Sequence, residues 1–149
     1  MKKLIAYFIF VIIVTISSYF IYSYMLTSEY ADTAIPYMEK VLPQISTWDA
    51  EIVKQYMAPE VLANVTDKNL QELMAALSVI GTLESVGEYS FENKVSGDDD
   101  QLGAATVITY EIDAQYSSGE AIVTLRLLVR GDSYEVYHFN FQSQALAGI

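Results

Sequence analysis

An uninterrupted apolar run near the start of the chain limits what this sequence can fold into. The 23 residues from Leu4 to Leu26 contain no charged side chain, and Lys2 and Lys3 precede them. As a helix this run would be about 34 Å long, which is enough to cross a hydrocarbon core about 30 Å thick with some tilt. We therefore predict a transmembrane helix over residues 4–26.

A cleavable signal peptide is the alternative interpretation of this run. The apolar region of a signal peptide is normally about 7–15 residues long and is followed by a small-x-small cleavage site. Here the run is longer and no Ala-x-Ala follows it. A lipid-modified start is excluded because the chain contains no cysteine. We therefore expect an uncleaved anchor.

The charges on the two sides of the run predict its orientation. Lys2 and Lys3 favour a cytoplasmic N-terminus, which places the rest of the chain outside. From residue 29 onwards the chain carries six of its eight Lys and Arg residues and all nineteen acidic residues, a formal charge of −13. Such a domain is repelled by anionic lipid and by nucleic acid, so we expect no nucleic-acid partner.

These observations divide the chain in two. Residues 1–28 are the cytoplasmic start and the plasma-membrane anchor, and residues 29–149 form one exported domain that faces the periplasm or the cell exterior. Because the chain has no cysteine, this domain must be stable without disulfides.

Apolar residues at helical spacing predict three helices between residues 29 and 81. Proline, N-cap residues and glycine set the expected boundaries. The predicted signals are a bend at Pro36, an end at Pro43, a capping box over residues 46–49, a start at Pro59, a cap at Thr66 or Asp67 and a stop at Gly81.

After Gly81 the apolar residues alternate with polar ones, which predicts β-strands. Alternation of this kind gives a sheet with one apolar and one polar face, which is typical of an antiparallel sheet covered on one side. The predicted fold class is therefore α+β, with three helices packed on one face of a curved four-stranded antiparallel meander. Its strands are expected near Val86–Val95, Ala105–Ser117, Glu120–Arg130 and Tyr134–Ser143.

Hairpin turns fix the expected register, provided that opposed residues share a face. A two-residue turn at Ser118-Gly119 would place Ile112 opposite Leu125 and Glu111 opposite Arg126. A three-residue connection over residues 131–133 would place Arg126 opposite His138. The first hairpin would close over residues 96–103, with Phe91 opposite Ile108.

The apolar face contains the residues that we expect to line a pocket, if there is one. By the predicted alternation it has no Asp, Glu, His, Lys or Arg, and its polar groups are tyrosine hydroxyls. A pocket without a titratable acid or base is poorly suited to acid–base chemistry. We therefore predict a protein that is not an enzyme, with a possible pocket lining of Tyr89, Tyr110, Leu127 and Tyr137.

The polar face carries a candidate surface patch of Glu111, Arg126 and His138, which form a row across three strands in the predicted register. The functional interpretation is a proton-handling or partner-docking patch built around the only histidine of the chain. The structural interpretation is cross-strand charge pairing on a solvated face, worth about 0.2–1 kcal/mol per pair. We favour the second.

Other motifs are weaker. Asp98–Asp100 could hold a hard cation, but the run lacks the alternating ligands of a calcium loop, so a solvated turn is expected. Asn64-Val65-Thr66 matches a glycosylation acceptor, a motif that occurs often by chance. We predict no catalytic residue, no cofactor and no metal site.

The order of helices and hairpins resembles the NTF2-like (cystatin-like α+β) superfamily, and within it the small membrane-anchored bacterial envelope proteins of unassigned function. The resemblance covers about residues 31–143 and includes "LMAALSVIGTLESV" and "YSSGEA". It implies a curved sheet that wraps its helices and often leaves a conical pocket. The layout of one apolar span and an exported domain is also similar to that of VirB8-like secretion components.

Three functions remain open at this stage. The first is an envelope protein whose domain binds a protein partner or a small apolar ligand. The second is a structural, self-associating component of a secretion or envelope assembly, and the third and weakest is a pocket enzyme. A ligand binder requires a cavity lined by the four residues named above. A scaffold is expected to have that space filled and to show an exposed apolar patch instead.

Overall fold

The computed structural model describes residues 1–99 and 103–147. Contacts divide the chain into two compact units, Met1–Thr33 and Ala34–Ile149. The described elements are helices α1 to α4 and strands β1 to β4, with 3-10 turns at Ser78–Ile80 and Gln144–Leu146. The helices are α1 (Lys2–Ile45), α2 (Ala50–Lys54), α3 (Pro59–Leu62) and α4 (Asp67–Leu77), and the strands are β1 (Leu83–Asp99), β2 (Gly103–Tyr116), β3 (Gly119–Arg130) and β4 (Ser133–Ser143).

The first unit is the apolar part of α1. Lys2–Tyr22 has a mean hydropathy of 2.5, and none of this segment is buried in the protein. The helix is therefore long and apolar enough to cross a membrane. Helix α1 also continues without a break through Pro36 and Pro43 to Ile45, so the predicted end at Pro43 is wrong by two residues.

The short helices begin at residues that satisfy free backbone N–H groups. Asp49 caps α2 by accepting from the Glu51 amide at 2.9 Å, and Thr66 caps α4 by accepting from the Asn69 amide at 3.2 Å. Pro59 opens α3 as predicted. The predicted capping box at residues 46–49 is wrong, because Ser46 is buried and its hydroxyl lies 2.8 Å from that of Tyr116.

Gly81 ends the helical region in the conformation that only glycine accepts easily. Its φ is +92°, and a Cβ atom at this position would lie 1.9 Å from the Ser117 hydroxyl. The Gly81 carbonyl accepts a 2.8 Å hydrogen bond from the Trp48 indole, which connects this point to the end of α1. Trp48 itself has a φ of 59°, a rare conformation for a bulky residue.

The sheet is an antiparallel meander in the order β1-β2-β3-β4, as predicted. The β2–β3 register differs from the prediction by two residues, because the turn is Ser117-Ser118. Ile112 pairs with Val123, and Glu111 pairs with Thr124 rather than with Arg126. A shift of two residues leaves every side chain on its predicted face.

The β1–β2 hairpin also pairs differently from the prediction. Phe91 lies opposite Tyr110 and Lys94 lies opposite Ile108, with three irregularities along β1. Because opposed residues share a face, Lys94 lies on the apolar side, where no cation was expected. Residues 100–102 of the predicted closing loop, including Asp100, lie outside the described residues.

The β3–β4 connection contains a β-bulge that the sequence analysis did not predict. Gly131-Asp132 is a two-residue turn, so Arg130 pairs with Ser133 and Leu127 pairs with Val136. The register then shifts by one residue at Tyr137, and Arg126 pairs with His138. A bulge adds one residue to one strand and so reverses its alternation. Tyr134 and Val136 are therefore buried on the inner face.

The core lies between the helices and the apolar face of the sheet, which we call the inner face. Ring contacts join the two layers, with Tyr37 of α1 on Tyr134 at 5.6 Å and Trp48 on Phe141 at 5.2 Å between centroids. The residues with no exposed surface in this core come from both layers: Ala34, Met38, Val41, Leu42, Ile45, Val53, Ile80, Ile108, Ile112, Tyr116, Val123, Leu125, Leu127 and Val136.

The opposite side of the sheet, which we call the outer face, is covered at one end. Residues 56–58 run parallel to the free edge of β4, where the Ala58 amide donates to Val136 and the Val136 amide donates to Tyr56. Ala58 then packs with Val107 and Leu128 in a small buried cluster, which Val61 of α3 also contacts. The prediction that only the inner face is covered is therefore wrong at this end.

Candidate functional site

The predicted pocket lining is brought together only in part, and two of its four members are buried in the core. Tyr110 is 1% exposed and Leu127 is 0% exposed. The Phe91 ring packs on the edge of Tyr110 with centroids 5.4 Å apart. Tyr89 lies half-buried on the same face. Two such buried side chains form part of a packed core and do not line an open pocket.

Tyr137 does not belong with the other three residues, which corrects its predicted position. The β4 bulge moves it to the outer face, where its ring contacts the buried cluster of Ala58, Val107 and Leu128. The Arg126 guanidinium lies 5.4 Å from the centroid of the same ring. Alternation alone placed Tyr137 inside, because a bulge leaves no mark in the apolar pattern.

Burial changes the acidity of the inner tyrosines. Desolvation, with a smaller contribution from Tyr134, raises the pKa of Tyr110 to about 12. The hydroxyl of Tyr110 is buried and has no hydrogen-bond partner among the described residues. Burial also raises the pKa of Tyr37 to about 12, with a further contribution from Glu135. Neither hydroxyl is therefore suited to give up its proton near neutral pH.

Of the two cross-strand pairs predicted within the candidate surface patch, one is present. Arg126 lies opposite His138, whereas Glu111 lies opposite Thr124 and so does not complete the row. Partial burial, followed by the charge of Arg126, lowers the pKa of His138. The imidazole is therefore neutral at physiological pH, as expected for a histidine beside an arginine.

A second charged cluster on the outer face was missed by the sequence analysis. Arg130 makes ion pairs with Glu60 of α3 and with Glu135 across the hairpin, the latter at 3.2 Å. The hydrogen bond from Arg130 lowers the pKa of the Glu60 carboxyl. Glu60 and Arg130 are 70 residues apart in the chain, so no local pattern could predict this pair. Its evident role is to hold α3 against the sheet.

The uncovered end of the outer face contains a cleft of about 920 Å³, which we call the outer cleft. All four strands contribute side chains or backbone to it. Its lining combines polar and apolar surface and includes Ser85, Asp113, Gln115, Glu120, Ile122 and Gln142. The alternation of apolar and polar residues predicts that this side of the sheet is solvated, but it carries no sign of a cleft that all four strands form together.

A second cleft, of about 630 Å³, lies beside Trp48 at the end of α1. Its lining includes Ser46, Gly81, Thr82 and Glu84. Ser85 lines both clefts, so the two adjoin at the start of β1. None of the four residues of the predicted pocket lines either cleft.

The residues that line the outer cleft offer groups that can form hydrogen bonds. Within residues 1–99 and 103–147, no group of three or more His, Cys, Asp or Glu side chains could hold a metal ion. Amides, hydroxyls and two separate carboxylates line the outer cleft, and such groups fix the orientation of a bound molecule by hydrogen bonding.

Comparison with known proteins yields no relative for this chain. No protein-family model, no curated protein and no solved structure matches it. Its function must therefore be argued from its own geometry.

Proposed function

We propose that this chain is a non-enzymatic, single-span membrane protein whose acidic α+β domain lies outside the cytoplasm and binds a protein partner as a scaffold. The observation that carries the proposal is the apolar segment Lys2–Tyr22, which is exposed along its whole length. An exposed apolar surface of this size is unfavourable in water and favourable in a bilayer.

The filled interior favours a protein partner over a small apolar ligand. A ligand-binding cone would need open space beside Tyr110 and Leu127, and both are buried in the core. The outer face, by contrast, contains an open cleft. This contrast favours the scaffold interpretation. The layout of one apolar span followed by a folded domain, which is similar to that of VirB8-like components of secretion assemblies, supports the same interpretation.

The resemblance to the NTF2-like superfamily supports the same proposal at the level of the fold. The chain has an apolar N-terminal helix, further helices and a four-stranded antiparallel sheet in the expected order. Many domains of that fold act only by binding, and a fold alone does not define a reaction. The bacterial envelope is the location that the resemblance implies.

The proposed orientation of the apolar span in the membrane follows from the charges on its two sides. Lys2 and Lys3 precede the span, and all nineteen acidic residues follow it. By the positive-inside rule, this distribution of charge favours a cytoplasmic N-terminus.

Cysteine labelling tests the span and its orientation, since the chain has no native cysteine to interfere. One variant carries Asp132→Cys in the exposed β3–β4 turn, and the other carries a cysteine inserted between Met1 and Lys2, which keeps both lysines. Intact spheroplasts are treated with a membrane-impermeant maleimide. We expect labelling of the first variant at once and of the second only after lysis, and both proteins should resist extraction from membranes by alkaline carbonate.

Two results would contradict the proposal. Recovery of the protein in the carbonate supernatant would show that the apolar helix does not span a membrane. Labelling of the inserted N-terminal cysteine in intact spheroplasts, with Asp132→Cys protected, would place the domain in the cytoplasm.

A further inference from the structure

The floor of the outer cleft consists of two neighbouring lines of residues that cross the sheet. In one line, Asp113 of β2 pairs with Ile122 of β3, which pairs with Gln142 of β4. In the other, Ser85 of β1 pairs with Gln115, which pairs with Glu120. Adjacent strands lie about 4.8 Å apart, so four strands give a groove about 14 Å wide. This is the length of four to five extended residues.

A glycine keeps the β1 side of this groove open. Gly87 lies against Asp113, and a Cβ atom at position 87 would be 3.4 Å from the Asp113 Cβ. A small side chain would therefore fit without displacing the backbone, but a large one would extend into the cleft. Ile122, 40% exposed, provides an apolar contact at the centre of the floor.

The electrostatic character of the groove is uniform. Asp113 and Glu120 are its two charged side chains, and no Lys, Arg or His lines it. Within the described parts of the chain, neither carboxylate has an ion-pair partner, whereas Arg130, Lys54 and Lys68 are each paired with acidic residues elsewhere. The domain around the groove has a formal charge of −13 from residue 29 onwards. Such a field attracts cations.

The two carboxylates are spaced to suit an extended chain. Asp113 and Glu120 are diagonal neighbours on adjacent antiparallel strands, because their partners are Ile122 and Gln115. Diagonal neighbours are about 7–8 Å apart. Side chains two residues apart on one side of an extended peptide are separated by about 6.8 Å, so one peptide could place a cation on each carboxylate.

We propose that the outer cleft is the docking groove for an extended lysine- or arginine-rich segment of a partner protein, with cationic side chains two residues apart on Asp113 and Glu120. This inference rests on the proposed function, because it specifies the chemistry of the partner that the scaffold binds. Ile122 would contact the aliphatic part of these cationic side chains, since it lies opposite Asp113 and two residues from Glu120.

The test uses the full chain in nanodiscs of zwitterionic lipid, so that the membrane itself does not attract the probe. The probe is a fluorescein-labelled ten-residue peptide of alternating Lys and Ser, and its binding is measured by fluorescence anisotropy. We expect saturable binding that weakens as salt is raised. The same peptide with Glu in place of Lys should not bind.

Matched variants separate the groove from the general negative field. Asp113→Asn with Glu120→Gln should weaken binding at least about tenfold, because two charge-assisted contacts are lost. Asp132→Asn with Glu92→Gln removes the same charge at exposed positions outside the cleft and should change binding by less than about threefold.

A steric pair tests the same site without changing its charge. Gly87→Leu should abolish binding by filling the cleft. Gly97→Leu is the control, since Gly97 lies on the same strand, outside the cleft, with nothing within 4 Å of the added Cβ. Circular dichroism confirms that each variant is folded.

Equal weakening by the two acid-neutralising variants would overturn the proposal, since only the general field would then matter. Unchanged binding in both Gly87→Leu and Asp113→Asn/Glu120→Gln would overturn it as well. A neutral hexasaccharide is tested as a competitor of the peptide. If it displaces the peptide, and if it binds the Asp113→Asn/Glu120→Gln variant as tightly as the native chain, the cleft is a glycan site and the proposal is overturned. Membrane insertion is measured separately by the labelling experiment above, so failure here leaves the proposed function standing.

Discussion

The two faces of the same sheet differ in how tightly they are occupied. On the inner face, Leu125 and Leu127 are completely buried beneath the helices, and aromatic rings fill the remaining space. On the outer face, α3 covers one end around Leu128, and the other end is open at Ile122. One strand, β3, thus contributes alternate residues to a closed core and to an exposed surface. The difference indicates that the inner face stabilises the fold and leaves the outer face available for binding.

The largest expected effect separates the two faces by stability. Leu127→Ala should lower the free energy of unfolding by about 2–5 kcal/mol, because it leaves a cavity in a packed core. Ile122→Ala, on the exposed side of the same strand, should cost less than about 1 kcal/mol. Urea unfolding of the detergent-solubilised protein measures both values. Similar losses for the two variants would show that the faces are wrongly assigned.

A smaller effect sharpens the description of the inner face. Tyr116 and Ser46 share a buried hydrogen bond of 2.8 Å, so Tyr116→Phe should lower the free energy of unfolding by about 1 kcal/mol. The Tyr110 hydroxyl has no such partner among the described residues. Tyr110→Phe should therefore leave stability unchanged or raise it. A loss for Tyr110→Phe that equals the loss for Tyr116→Phe would reveal a polar contact at Tyr110.

On the outer face, truncation of a partly exposed cation should have little effect. Arg126→Ala removes the contact with the Tyr137 ring and the neighbour of His138. Contacts of this kind at exposed sites are worth about 0.5–1 kcal/mol, so the loss in urea unfolding should stay below about 1 kcal/mol. A loss as large as that of Leu127→Ala would mean that this side of the sheet is also a core.

The smallest expected effect is the dependence of stability on pH that follows from the pKa of His138. Partial burial and Arg126 lower the pKa of His138 in the folded protein. As the pH falls, the unfolded chain takes up this proton first, so the stability that His138 contributes declines below about pH 6.5. An NMR titration of the single histidine should give a pKa below that of a model peptide, and Arg126→Gln should raise it. A pKa above the model value would indicate an acidic partner instead.

Periodicity in the sequence was sufficient to assign the faces of β2 and β3. Ile112, Val123 and Leu125 are all buried on the predicted side. The same pattern could not determine the register, because a slip of two residues moves Glu111 from Arg126 to Thr124 without changing any face. The choice between turns at Ser117-Ser118 and Ser118-Gly119 depends on backbone geometry that the apolar pattern does not record.

The error at Tyr137 has a different physical origin. A three-residue turn, or a two-residue turn followed by a bulge, brings Arg126 opposite His138 equally well. Only the second reverses the alternation of residues 133–136 and buries Tyr134 and Val136. The bulge position is set by contacts that are distant in sequence, such as the pairing of Val136 with residues 56–58. The outer cleft was unpredictable for the same reason, since its shape depends on all four strands.

Accessibility along β3 tests the central claim most directly. Single cysteines at positions 122 to 127 in the full chain can each be treated with maleimide in membranes, because the native chain has no cysteine. Cysteines at 122, 124 and 126 should react readily, whereas those at 123, 125 and 127 should react only after denaturation. Uniform reactivity, or fast reaction at 123, 125 and 127, would contradict a closed inner face and an open outer one.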